Sequence, residues 1–167
     1  ACLCIGQWCR ASTPIAALHS LFQSSGRSSS TRNVKKDRFT VKTTLSPPNS
    51  IIFLFDQTNK AVVPPEYNAS RVVSSNNNCV SIGTRSEFDG ETTVELNSYQ
   101  GGRFDPELIW FHDIKIATPG GIVSVVTSHN DALLTVSSGT RATRLAIGLN
   151  DPSEPDIIVI RIVSEGI

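Results

Sequence analysis

The stretch Arg141-Ala-Thr-Arg-Leu-Ala-Ile-Gly-Leu-Asn150, then Asp151-Pro-Ser-Glu-Pro-Asp156, then Ile157-Ile-Val-Ile-Arg-Ile162, decides how the chain folds. Leu145, Ile147 and Leu149 alternate with smaller or polar residues, and Ile158, Ile160 and Ile162 do the same beyond the turn. A period of two sets each row of side chains on one face of a sheet. Between the rows, Pro152 and Pro155 cannot donate ladder bonds, and Asp151, Glu154 and Asp156 hold the connection in water. The reading is two strands around an acidic loop, placed at the C-terminal edge of a sandwich.

Working outward, the same pattern recurs. Residues 39–45 alternate and end at Ser46-Pro47-Pro48-Asn49, a strand and a turn. Ile51-Ile-Phe-Leu-Phe55 is an unbroken apolar run of strand length, expected to be a central strand covered on both faces. A polar turn from Asp56 to Lys60 precedes a short strand at Ala61–Val63, and residues 71–73 read as an edge strand before a polar loop over 74–78. Val80 and Ile82 share a face; Asp89-Gly90 signals a turn, and residues 92–96 form the return strand with Val94 and Leu96 inward. Leu108, Trp110, Ile114 and Ile116 are expected in the core, with His112-Asp113 marking a bulge or bend. After a tight turn at Thr118-Pro-Gly-Gly121 come strands at 122–127 and 133–136.

Nine to eleven short strands and no helical period predict an all-β domain, an antiparallel β-sandwich of jelly-roll-like form spanning residues 34–167. A chain of 167 residues suffices for one such domain plus a tail. Its zero net charge conceals an asymmetry: residues 1–50 carry seven Lys/Arg against one acid, and the remainder carries eight against fourteen. No apolar run of about 18 residues occurs, so no membrane partner is expected. Residues 1–33 read as a disordered leader, and the absence of methionine reads as a processed, fragmentary or mis-started chain. The leader is a mis-called or read-through start, an Arg- and Ser-rich targeting segment, or a flexible tail. Localisation is open, with the cytoplasm favoured if the leader is read-through.

The residues carry little recognisable chemistry. Cys2, Cys4, Cys9 and His19 could donate zinc ligands, but paired CxxC knuckles are missing and the cluster falls in the leader. Cys79 reads as a small buried hydrophobe. His112-Asp113 resembles a base with its orienter, yet strand neighbours point to opposite faces. No phosphate-binding loop or hydrolase elbow occurs, so no catalytic, cofactor-binding or metal residues are assigned. Asp151, Glu154 and Asp156 could bind calcium, against which stand two prolines that restrict the loop. Asn68-Ala69-Ser70 is a glycosylation sequon, meaningful in a secreted eukaryotic chain. Arg27, Arg32, Lys35, Lys36 and Arg38 form a basic arm such as precedes the sandwich of small viral coat proteins. From Val34 onward, however, twelve basic residues face fifteen acids, a balance unsuited to phosphate backbones.

Four pieces resemble small bacterial β-sandwich proteins related to competence protein J, whose named member is a nuclease inhibitor. They are residues 51–56, residues 80–84 with 89–94, residues 116–122, and above all residues 144–156 with 157–162. Relatives often carry an aromatic residue where this chain has Ala142 and Thr143. The resemblance implies a non-enzymatic inhibitor or immunity-type protein that docks a basic partner such as a nuclease, and it supplies no catalytic residues. Asp151, Glu154, Asp156, Glu87 and Asp89 are the candidate contact residues. The alternatives are a secreted carbohydrate- or calcium-binding sandwich module and a viral coat-like protein with a basic arm.

Overall fold

The computed structural model describes residues 39–66, 68, 70–99, 101 and 103–163. The leader, its cysteines and the basic arm lie outside the described residues. Ten strands run in chain order: β1 (Thr40–Leu45), β2 (Ile51–Phe55), β3 (Val73–Ser75), β4 (Cys79–Gly83), β5 (Thr92–Tyr99), β6 (Ile109–Ala117), β7 (Ile122–Thr127), β8 (Ala132–Ser137), β9 (Ala142–Leu149) and β10 (Ile157–Val163). Among the described residues the only helical piece is a 3-10 turn at Pro48–Ser50. The strands form two five-stranded sheets, β1-β5-β10-β9-β6 and β3-β4-β2-β7-β8. Every pairing is antiparallel except that of β10 with β5.

The inner faces carry the alternating rows. Ile158, Ile160 and Ile162 meet Leu145, Ile147 and Leu149 across the β9–β10 ladder, and Val94 and Leu96 continue the layer. From the second sheet Ile52, Leu54, Val80, Ile82, Val123, Val125 and Val136 complete one core. β-branched side chains dominate both layers, which suits a pleated surface buried on one side.

Several expectations change once the sheets are assembled. β9 and β10 occupy the interior of their sheet, with β10 at its centre, so the C-terminal pair is not an edge. β5 does not return along β4: the two lie in different sheets, and the Asp89-Gly90 turn carries the chain across the sandwich. Ala61–Val63 forms no strand. Its polar groups are captured by side chains instead, the Ala61 N–H by Asn59 Oδ1 at 3.1 Å and the Val63 carbonyl by Asn76 Nδ2 at 2.8 Å. Ser74 and Ser75, expected in a loop, belong to edge strand β3, where one wetted face accepts polar residues.

The bulge in β6 is real. Its register with β9 shifts between Phe111 and Ile114, and Asp113 adopts φ 60°. Ahead of it, Phe111 pairs with Ile147 and packs on the core, while Trp110 pairs with Gly148 and lies half-buried on the outer face. Trp110 is therefore not a core residue. A Cβ on Gly148 would stand 2.9 Å from the Trp110 ring, so the glycine is what lets the indole lie against the sheet.

Candidate functional site

The acidic hairpin loop is built by its own first residues. Asn150 Oδ1 accepts the N–H groups of Asp156 (3.1 Å) and Ile157 (2.9 Å), and its Nδ2 donates to Asp156 Oδ1 at 2.5 Å. This side chain closes the loop where Pro152 and Pro155 leave the ladder open. Asp151 Oδ1 accepts the N–H of Ser153 (2.8 Å), the hydroxyl of Ser153 (2.8 Å) and the N–H of Glu154 (2.9 Å). Those bonds, the Glu154 N–H foremost, hold the Asp151 carboxyl below the usual carboxylate range, with distant help from Arg85 against a little burial.

A second loop, residues 84–91, is fastened to the first. The Arg85 N–H donates to the Pro155 carbonyl at 2.9 Å, and the Thr93 N–H to the Asp156 carbonyl at 2.8 Å. The Arg85 guanidinium pairs with Asp156 at 2.7 Å. The candidate residues are thus brought to one end of the sandwich, but they do different work. Asp151 and Asp156 are engaged inside the loops; Glu154 and Asp89 are exposed, and Glu87 is half-buried. Between Glu87 and Asp89, Phe88 stands 90 % exposed. Its backbone is set by a turn in which Ser86 accepts the Phe88 N–H on its hydroxyl (3.3 Å) and the Asp89 N–H on its carbonyl (2.9 Å).

A polar cleft of about 370 Å³ opens beside the two loops, its lining including Asn49, Arg71, Ser81, Ser86, Ser153 and Glu154. Three participants were not singled out from the sequence: Arg85, Asn150 and Phe88. A phenylalanine between two acids in a Glu-Phe-Asp-Gly turn was the available signal, since a core phenylalanine would not sit at a turn.

The other candidates disperse. Cys79 is free and fully buried, and burial pushes its thiol up to about 12, far from a nucleophile's range. Asp113 pairs with Arg144, while His112 packs edge-on against Phe104, ring centroids 4.7 Å apart. The two neighbours therefore serve different contacts. Phe104 also meets Tyr99 and Trp110 at 4.8 and 4.6 Å, and the Arg161 guanidinium lies 4.7 to 5.2 Å from the Trp110, Phe104 and Tyr99 rings. No group of three or more His, Cys, Asp or Glu side chains converges among the described residues. No described helix is long and apolar enough to cross a membrane. Asn68 is exposed, with its Oδ1 accepting the Ser70 N–H at 2.9 Å.

No family model and no curated protein matches the chain. Two solved structures match the chain. One is the crystal structure of ComJ, inhibitor of the DNA degrading activity of NucA, from Bacillus subtilis. It superposes with a TM-score of 0.56 at 9 % identity, over 77 % of this chain and 98 % of that one. The other is the product of crocagin biosynthetic gene J, with a TM-score of 0.48 at 12 % identity, over 78 % of this chain and 98 % of that one. The likeness to ComJ, at that identity, is one of fold alone, a shared all-β architecture.

Proposed function

We propose that this chain is a non-enzymatic binding protein of bacterial inhibitor or immunity type, docking a basic partner such as a nuclease. Its contact surface is the acidic end of the sandwich, with Glu87, Asp89 and Glu154 facing the partner and Asp151 and Asp156 holding the loops in shape. The observation that carries this reading is the joining of the two acidic loops around Arg85, which leaves Phe88 exposed between carboxylates. Interfaces commonly combine a central aromatic anchor with a polar rim. The fold shared with ComJ supports it, since that protein inhibits a DNA-degrading enzyme. An enzyme that grips a polyanion carries positive charge, and a carboxylate-rich surface is its electrostatic complement.

Charge complementarity of this kind acts chiefly on association rate, whereas a buried aromatic anchor acts on dissociation. The full chain is tested against a basic nuclease of the same bacterium, by binding kinetics at two salt concentrations and by DNA cleavage. Asp89→Lys with Glu154→Lys is expected to slow association about tenfold or more at low salt, with an unchanged melting temperature because both side chains are exposed. Phe88→Ala is expected to speed dissociation. Wild-type association by the double variant, or undiminished cleavage with the chain in excess, overturns the proposal. Against the calcium-binding alternative weighs the engagement of Asp156 with Arg85 and Asn150 and of Asp151 Oδ1 with loop N–H groups.

A further inference from the structure

The outer face of a sandwich sheet is ordinarily polar, and alternation along β2 should therefore place hydrophilic residues there. It places Phe53 and Phe55 instead, both half-buried. Beside them Phe53 is paired with Val126 and Ser81, and Phe55 with Cys79 and Ser124, all four buried, so the small serines leave the two rings as the main surface of this face. The connection from β2 to β3 arches over this floor without collapsing onto it. Its turns are held locally by the Thr58 N–H and hydroxyl on Asp56 Oδ1 (2.9 and 2.6 Å) and by the Ala61 N–H on Asn59 Oδ1, and Asn76 Nδ2 on the Val63 carbonyl fastens it to the turn before β4. A cavity of about 360 Å³ remains between loop and sheet, floored by Phe53, Phe55 and Cys79 and overhung by Lys60, Val62 and Pro64. That size falls within the range of small-molecule sites, about 300–1,000 Å³.

The rim has a definite sign. Among the described residues Lys60, which is exposed, makes no ion pair, and the side-chain amides of Gln57 and Asn130 make no hydrogen bond. Among the described residues no Asp or Glu lines the cavity; the Asp56 carboxylate is turned away toward Thr58 and Gly120. One ammonium and two uncommitted amides over two phenyl rings suit a flat apolar body with an anionic head. The ammonium would neutralise the head while the rings take the body out of water.

We propose that this cleft binds a small aromatic carboxylate, its ring against Phe53 and Phe55 and its carboxylate at Lys60. The floor is two phenyl rings and the buried Cys79 thiol, and the role given to Lys60 is to pair with the ligand's carboxylate. The site shares no residue with the acidic end of the sandwich and stands independently of the proposed docking function.

The test is calorimetric titration of the full chain with 2-naphthoate and with its neutral analogue 2-naphthalenemethanol. Saturable one-to-one binding of naphthoate is expected, about tenfold tighter than that of the alcohol, in line with one charge-assisted contact. Lys60→Gln, at an exposed position, should bring naphthoate down to the level of the alcohol and leave the alcohol unchanged. Val62→Trp, filling the cavity from above, should weaken both. The proposal is overturned by the absence of saturable naphthoate binding up to about 1 mM, by equal affinities for the two ligands, or by a Lys60→Gln protein that binds naphthoate as the wild type does.

Discussion

Asp56 is fully buried at the end of β2, and its carboxylate is shared between two turns that are far apart in the chain. Oδ1 takes the Thr58 N–H and hydroxyl, and Oδ2 takes the Gly120 N–H at 2.6 Å. Gly120 has to be glycine there, because a Cβ would fall 2.2 Å from the Thr58 hydroxyl oxygen. Burial raises the carboxyl pKa, but the bonds from Thr58, Gly120 and Ile122 outweigh it, and the group titrates below its ordinary value. A depressed folded pKa stabilises the protein above the unfolded value of about 3.9, and that contribution is lost as pH falls through it toward the folded one. Asp56→Asn is therefore expected to cost about 2–3 kcal/mol at neutral pH, as for hydrogen bonds to a buried charge. Chemical denaturation from pH 7 to pH 3 should show a shallower acid loss for the variant; parallel curves would remove the role given to Asp56. From the sequence this residue was only the first of a polar turn. Its partner lies in the Thr118–Gly121 turn, and no local pattern announces a contact across that distance.

Strand locations were legible from apolar runs, alternating or unbroken, between turn residues, and β1, β2, β4, β7, β8, β9 and β10 lie where those runs placed them. Partnership was less so. An alternating run looks the same whether it pairs with the run before it or crosses to the opposite sheet, and β5 crosses. Phase fails where consecutive residues are all large, as in Trp110-Phe111-His112, where alternation alone does not say which ring faces in. Gly148 is the residue that settles it, since it gives the Trp110 indole a seat on the outer face. Gly148→Ala should push the ring off β9 and cost about 1–3 kcal/mol, as overpacking does. In a Trp8→Phe background, which leaves Trp110 as the single indole, emission should shift to the red. Unaltered emission and stability would mean that the ring is not seated there.

Across the whole molecule, both sheets contribute to one core, so they should unfold together. Trp110 reports from the outer face of one sheet and Cys79 from the buried outer face of the other. With Trp8 and the cysteines at positions 2, 4 and 9 replaced, indole emission and Cys79 labelling in urea should give coincident midpoints, as a two-state domain requires. Separate midpoints would divide the sandwich into independent layers. The candidate contact surface was legible at this scale in part. The excess of acids beyond residue 50 and the charged hairpin loop could be read directly. That Arg85 would gather a second acidic loop beside the first depends on the crossing from β4 to β5, which only the assembled fold reveals.

The parallel pairing of β10 with β5 also bears on how the protein is made. The last strand of the sandwich in chain order is the centre of its sheet, bonded to β5 on one side and β9 on the other. Until residue 163 has left the ribosome, β10 cannot take its place between β5 and β9, and without it the pair β1–β5 and the pair β6–β9 have no strand to join them. The sheet is accordingly completed only once β10 has been made, and any strand pair formed earlier would present an open edge to other chains until then.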